Sequence, residues 1–125
     1  MKHLNGPMIA IVLVVSAALV FAACGEKKVP ITQLTTGEEL FTGLGCARCH
    51  GAAGEGIKTG PPVLNMAKFW DEDTMVAFLK NPESFKQKDP RLMARSESYP
   101  IYMPPVTGAT DEQLKTLSGF VLEMK

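Results

Sequence analysis

Cys46 and Cys49 stand three residues apart, and His50 follows directly, in the stretch GCARCH. These three residues constrain the chain most, because every chemistry that uses a Cys-x-x-Cys pair needs further partners. A structural zinc site takes four ligands, usually cysteine or histidine. The sequence has three cysteines and two histidines, and the two not in the motif, Cys24 and His3, lie near the N-terminus. Zinc is therefore short of ligands. A thioredoxin-type dithiol belongs to a strand-helix-strand pattern, and no convincing strand is present.

The N-terminus explains where such cysteines would work. Lys2 and His3 precede the uncharged run MIAIVLVVSAALVFAA, Met8 to Ala23, which ends at CGEKK. A short positive start, an apolar core and small residues before a break read as a secretory signal peptide. The run is short for a spanning helix, which needs about 20 residues; an uncleaved anchor is the other reading. LVFAAC resembles the lipobox of bacterial lipoproteins, with Phe21 where leucine is more usual. That resemblance implies acylation of Cys24 as the first residue of the mature chain. Several acyl chains hold a protein firmly on a membrane surface, whereas one alone binds marginally. The organisation expected is a signal peptide over 1–23, a tether over 24–35 and one domain over 36–125.

The domain reads as all-α. Thr36 and Glu39 form a capping-box pattern before the stripe Leu40, Phe41 and Leu44. Residues 51–62 hold four glycines and end in Gly60-Pro61-Pro62, an irregular loop. Asp71 caps a second helix with Met75, Val76, Phe78 and Leu79 on its inner face, stopped at Asn81-Pro82. Residues 83–105 show no clear periodicity, apart from a short helical turn expected over Asp89 to Arg95. Such a long segment in a small domain usually wraps something. A last helix opens at the capping box Thr110 to Gln113 and carries Leu114, Leu117, Phe120, Val121 and Met124 at helical spacing. These helices offer few large apolar residues each, a meagre core for so much loop. Something apolar and non-protein would complete it.

A c-type haem meets both needs. Residues three and four apart share a helix face, so Cys46, Cys49 and His50 address one flat ligand. The thiols bond its two vinyl groups as thioethers, and the imidazole reaches the iron from one side. With these pieces in place the sequence resembles a small class I c-type cytochrome from about Gly37 to Met124, in GEELFTGLGCARCH, TGPPVLN, MPPVTGAT and the closing amphipathic helix. The resemblance implies a bundle of three to five short helices around one covalent haem c, with the first and last helices in contact through Leu40 and Phe41 against Leu117, Phe120 and Val121. It implies that a proline carbonyl, Pro61 or failing that Pro62, accepts the other His50 ring N–H. It also implies a methionine as second axial ligand. Met103, before Pro104 and Pro105, fits the family's Met-Pro segment; Met93 is the runner-up, Met75 and Met124 read as core, and Met66 follows too closely behind the haem-binding turn. Trp70, Tyr99 and Tyr102 each join an apolar body to one polar atom and are candidates for hydrogen-bonding a haem propionate. Val63, Leu64, Phe78 and Phe85 are expected to pack on the ring.

Thirteen basic and thirteen acidic side chains cancel, and loss of Lys2 with the leader leaves one negative charge. Nothing here points to nucleic acid. Lys80, Lys86, Lys88, Arg91 and Arg95 outnumber Glu83 and Asp89 locally, either as a solvated loop or as a docking face for an acidic partner. The function expected is electron transfer by a membrane-tethered carrier facing the periplasm, with redox proteins as partners, no small-molecule substrate and no catalysis. The alternatives are a haem subunit of a larger respiratory complex, or a haem sensor or peroxidase with a labile methionine.

Overall fold

The computed structural model describes residues 28–125. The expected signal peptide and Cys24 lie outside the described residues. Six helices follow one another: α1 (Gly37–Gly43), the single turn α2 (Ala47–His50), α3 (Glu72–Lys80), α4 (Pro82–Lys86), α5 (Pro90–Ser98) and α6 (Asp111–Glu123). Two 3-10 turns cover Ile31–Gln33 and Met66–Lys68. Among the described residues there is no strand, only an isolated bridge between Ile57 and Gly60, and no helix is long and apolar enough to cross a membrane.

Local chemistry sets the helix starts. Thr36 Oγ1 accepts from the Glu39 N–H while Glu39 Oε2 accepts from the Thr36 and Thr35 N–H groups, both at 3.0 Å. Thr110 and Gln113 repeat this reciprocal cap at α6. Each box satisfies donors that the first turn leaves open. Asp71 caps α3 by accepting from the Thr74 N–H at 2.8 Å.

The core is one cluster of Leu34, Leu40, Phe41, Met75, Leu79, Leu114, Leu117 and Val121. It sits where α1 and α3 both pack on α6. The α1–α6 crossing is close because Gly37 faces Phe120, where any Cβ would stand 2.1 Å from the phenylalanine's own. Phe41 and Phe120 meet there with ring centroids 6.0 Å apart, a distance typical of favourable aromatic pairs.

Two regions differ from expectation. Residues 82–98 form two helices rather than loop with one turn. Both open on proline at the first helical position, behind a side-chain cap: Asn81 accepts from the Ser84 N–H and Asp89 from the Arg91 N–H. Proline's fixed φ suits that position, and its missing N–H is no loss there. The second region is the end of the expected tether. Leu34 is buried in the core, and Gln113 Nε2 donates to the carbonyls of Ile31 and Leu34 at 2.7 and 3.0 Å. Residues 31–34 thus belong to the domain.

Candidate cofactor site

Gly45, at φ +85°, turns the chain out of α1 into the Cys46–His50 turn, and Gly51, at φ +84°, ends it. Both positions need the left-handed region that only glycine enters cheaply. The two thiols are free. Burial pushes the Cys46 thiol up to about 11, so it is neutral at ordinary pH.

The glycine loop then folds back under the histidine. Gly56 N–H donates to the His50 carbonyl, and Ile57 and Gly60 exchange backbone hydrogen bonds at 3.0 and 3.2 Å. Gly60 is pressed against Cys49, where a Cβ would lie 2.6 Å from the Cys49 carbonyl oxygen. This brings the carbonyl of Pro61, not that of Pro62, to 2.7 Å from His50 Nδ1. A carbonyl only accepts, so Nδ1 carries the proton and Nε2 keeps a free lone pair. That tautomer is the one a metal takes.

Above the turn lies a largely apolar cavity of about 500 Å³, within the roughly 300–1,000 Å³ that ligand sites occupy. Cys46, His50, Pro61, Trp70, Tyr99, Tyr102 and Met103 all line it, as do Val63 and Phe78. Of the other methionines, Met66 and Met75 reach the wall while Met93 and Met124 do not. Met93 is exposed, and Met124 packs its sulfur toward Gly54. The backbone is pinned on both sides of Met103. The Tyr102 hydroxyl donates to the Pro82 carbonyl at 2.7 Å, and Val106 N–H donates to the Leu79 carbonyl at 2.8 Å.

Three expectations need correction. The one proton of the Tyr102 hydroxyl is spent on Pro82, so Tyr102 packs on the cavity but has nothing to donate to a propionate. Burial, and then the charge of Glu83, raise its phenol above the ordinary value, which keeps that proton in place. Phe85 lies behind the wall, its ring centroid 6.0 Å from Trp70 and 5.8 Å from Phe78, and Leu64 faces Gly54. Within the basic cluster, Lys80 pairs with Asp111 at 2.8 Å, Lys86 with Glu83 at 3.9 Å, and Arg91 with Asp89, which leaves both readings of that cluster open. Sequence reading also missed that α5 forms one wall, through Arg91, Leu92, Arg95 and Ser96. The signal was there: Leu92, Arg95, Ser96 and Tyr99 recur at helical spacing, but the face mixes charge with apolar groups.

The family model for cytochrome c matches residues 34–125. The chain belongs to the cytochrome c family. No curated protein and no solved structure matches it. As a cytochrome c it carries haem c, attached covalently and holding iron, and its chemistry is haem-based electron transfer. The site fits that group on its own terms. Two free thiols three residues apart, an imidazole held with Nε2 available, and an apolar cavity beside them are the donor set and the volume that a c-type haem needs. The match also begins at Leu34, the tether residue that the core buries.

Proposed function

We propose that this cytochrome c is a one-electron carrier with His50 and Met103 as axial ligands, tethered to a membrane through acylated Cys24 and facing the periplasm. The observation that carries the ligand set is the pinned cavity wall. Met103 is held between two hydrogen bonds, and His50 is held in the metal-binding tautomer by Pro61. When bound, haem c supplies a one-electron couple at its iron. The chain's own residues do the rest. Cys46 and Cys49 fix the ring, Pro61 keeps the imidazole basic, and the Met103 thioether favours the reduced state. Trp70, Phe78 and Val63 exclude water around it. Trp70 and Tyr99 remain candidates for a propionate hydrogen bond. Were His50 and Met103 both to hold the iron, no position would be left for a substrate at the metal, which supports a carrier rather than an enzyme.

A labile-methionine sensor or peroxidase needs the segment before Met103 to carry it away. The Tyr102–Pro82 and Val106–Leu79 bonds tie that segment to α4 and α3, which speaks against it. For the tether, the docking of Ile31 and Leu34 by Gln113 leaves seven peptide units from Cys24 to Ile31, a reach of at most about 25 Å. The carrier would work close to the lipid surface.

Two measurements test this reading. The ferric protein should show the long-wavelength absorption band of methionine-ligated haem, and Met103→Ala should abolish it and lower the reduction potential. A band that survives Met103→Ala, or that is lost in Met66→Ala instead, refutes the ligand assignment. Mass spectrometry of the exported protein should report one haem and a cut before Cys24 with acyl chains; a chain that keeps residues 1–23, or lacks lipid, refutes the tether.

A further inference from the structure

α5 is an unusual wall for an apolar cavity. None of its residues is fully buried, and its one extensive packing partner is α4. Its inner face presents Leu92 and Tyr99 together with Arg95 and Ser96. Arg95 is solvent-exposed, so its stem lines the cavity while its guanidinium stays in water at the rim, where charged groups of an occupant would also sit. Haem c brings two propionate carboxylates, and carboxylates taken out of water need charge-assisted hydrogen bonds. Apart from His50, whose ring is committed to Pro61, the basic residues lining the cavity are Arg91 and Arg95.

These two arginines are not equivalent. Arg91 is already closed on Asp89: its Nε donates to Oδ1 at 3.0 Å and its Nη2 to Oδ2, while its guanidinium lies 5.0 Å from the centre of the Phe69 ring. That pair is close to neutral as a unit. The Arg95 side chain makes no hydrogen bond or ion pair among the described residues, and one helical turn separates it from Arg91. We propose that Arg95 is the counter-charge for the haem carboxylates, so that α5 is docked over the cavity by the cofactor it covers and Arg95 helps to set the reduction potential. The inference rests on the haem that the family carries, not on which sulfur is the sixth ligand.

Reduction adds an electron to the haem, and a nearby fixed cation favours it. The test uses the haem-loaded protein and reads midpoint potentials by spectroelectrochemistry. Arg95→Gln should reduce the ratio of ferrous to ferric protein at a fixed ambient potential by about threefold to tenfold, the upper figure being a downward shift of 59 mV for one electron. Arg95→Lys, which keeps the charge, should stay close to wild type. Removing the neutral pair in a D89N/R91Q variant, where asparagine still caps α5, should leave the potential in place. The methionine–iron band must persist in each variant, since ligand loss would lower the potential for another reason. An Arg95→Gln protein with wild-type potential overturns the proposal, as does a D89N/R91Q protein that reproduces the drop. Should Arg95→Gln fail to load haem, Arg95→Lys decides: a potential near wild type supports the counter-charge, and a drop of threefold or more refutes it.

Discussion

Gly60→Ala should damage the histidine support without touching the histidine. The added Cβ would stand 2.6 Å from the Cys49 carbonyl oxygen and 2.9 Å from its carbon, whereas ordinary contact begins near 3.4 Å. Both are backbone atoms of the turn that carries His50, so the loop must yield by about 0.8 Å to restore contact. Pro61 is the next residue, and its 2.7 Å bond to His50 Nδ1 would stretch toward about 3.5 Å, past the hydrogen-bonding range. Overpacking of this kind costs about 1–3 kcal/mol, and the weakened hydrogen bond about 1 kcal/mol more. A loss of about 2–4 kcal/mol follows, and each kcal/mol lowers the Tm of a domain this size by roughly 4–8 °C. The imidazole also becomes a weaker donor, which favours the ferrous state and raises the potential. Thermal melts and spectroelectrochemistry of the holoprotein read both effects. Gly119→Ala is the control, because nothing lies within 4 Å of its Cβ; in the middle of α6 it should stabilise by about 0.5–1 kcal/mol. Gly60→Ala within about 0.5 kcal/mol of wild type, with an unchanged potential, would refute the argument that Gly60 sets the Pro61 carbonyl.

Gln113→Ala removes the bonds to Ile31 and Leu34 and the reciprocal half of the α6 cap. At about 1 kcal/mol each, the loss should reach about 2–3 kcal/mol, and proteolysis before Leu34 should speed up in the native protein; unchanged protection of residues 31–34 would show that the clasp is unimportant. Stability should also fall with acid. Glu39 is held below the ordinary carboxylate value by the Thr35 backbone N–H, Asp71 by the Thr74 N–H, Asp89 by the Arg91 side chain and Asp111 by Lys80. A depressed folded value means stability that is present above about pH 4 and lost below it. Melts between pH 6 and pH 3 should show that loss, with a shallower slope in a Glu39→Gln/Asp71→Asn variant; equal slopes would refute the attribution to these caps.

How much of this was legible in the sequence follows from the range of each interaction. The Thr36–Glu39 and Thr110–Gln113 boxes act over three residues, so the pattern contains them whole. The same is true of Cys46, Cys49 and His50, whose spacing is the chemistry. α4 and α5 were harder to see because they start on Pro82 and Pro90, which read as breakers, and because the inner face of α5 looks into a cavity rather than a core. Leu34 and Ile31 read as tether because the residue that captures them, Gln113, is 79 and 82 positions away. Tyr102 hides its partner for the same reason: nothing near it in the chain announces that the Pro82 carbonyl, 20 residues back, accepts its hydrogen bond.

The small core and the cavity together lead to a last prediction, on what the haem does for the fold. Among the described residues the core cluster holds eight buried apolar side chains, and Phe41, Met75, Leu79, Leu117 and Val121 among them also line the cavity of about 500 Å³. Cavity formation costs about 24 cal/mol per Å³ where the walls cannot collapse, so leaving this volume unfilled would cost up to about 12 kcal/mol. Small domains have only about 5–15 kcal/mol of stability in total. Water entering from the open side lowers the figure, but it wets the same apolar walls and returns part of the hydrophobic cost. A Cys46→Ser/Cys49→Ser chain made without haem should therefore lose its cooperative melt. The α1–α6 pair has the best chance of surviving, because Gly37 and Phe120 interlock away from the cavity and both helices keep their caps. Circular dichroism should show reduced helix and no sharp transition, with hydrogen exchange protected, if anywhere, only in α1 and α6. A haem-free chain with full helix content and a cooperative melt would mean that the protein core suffices alone, and that the wall residues owe their order to one another rather than to the ring.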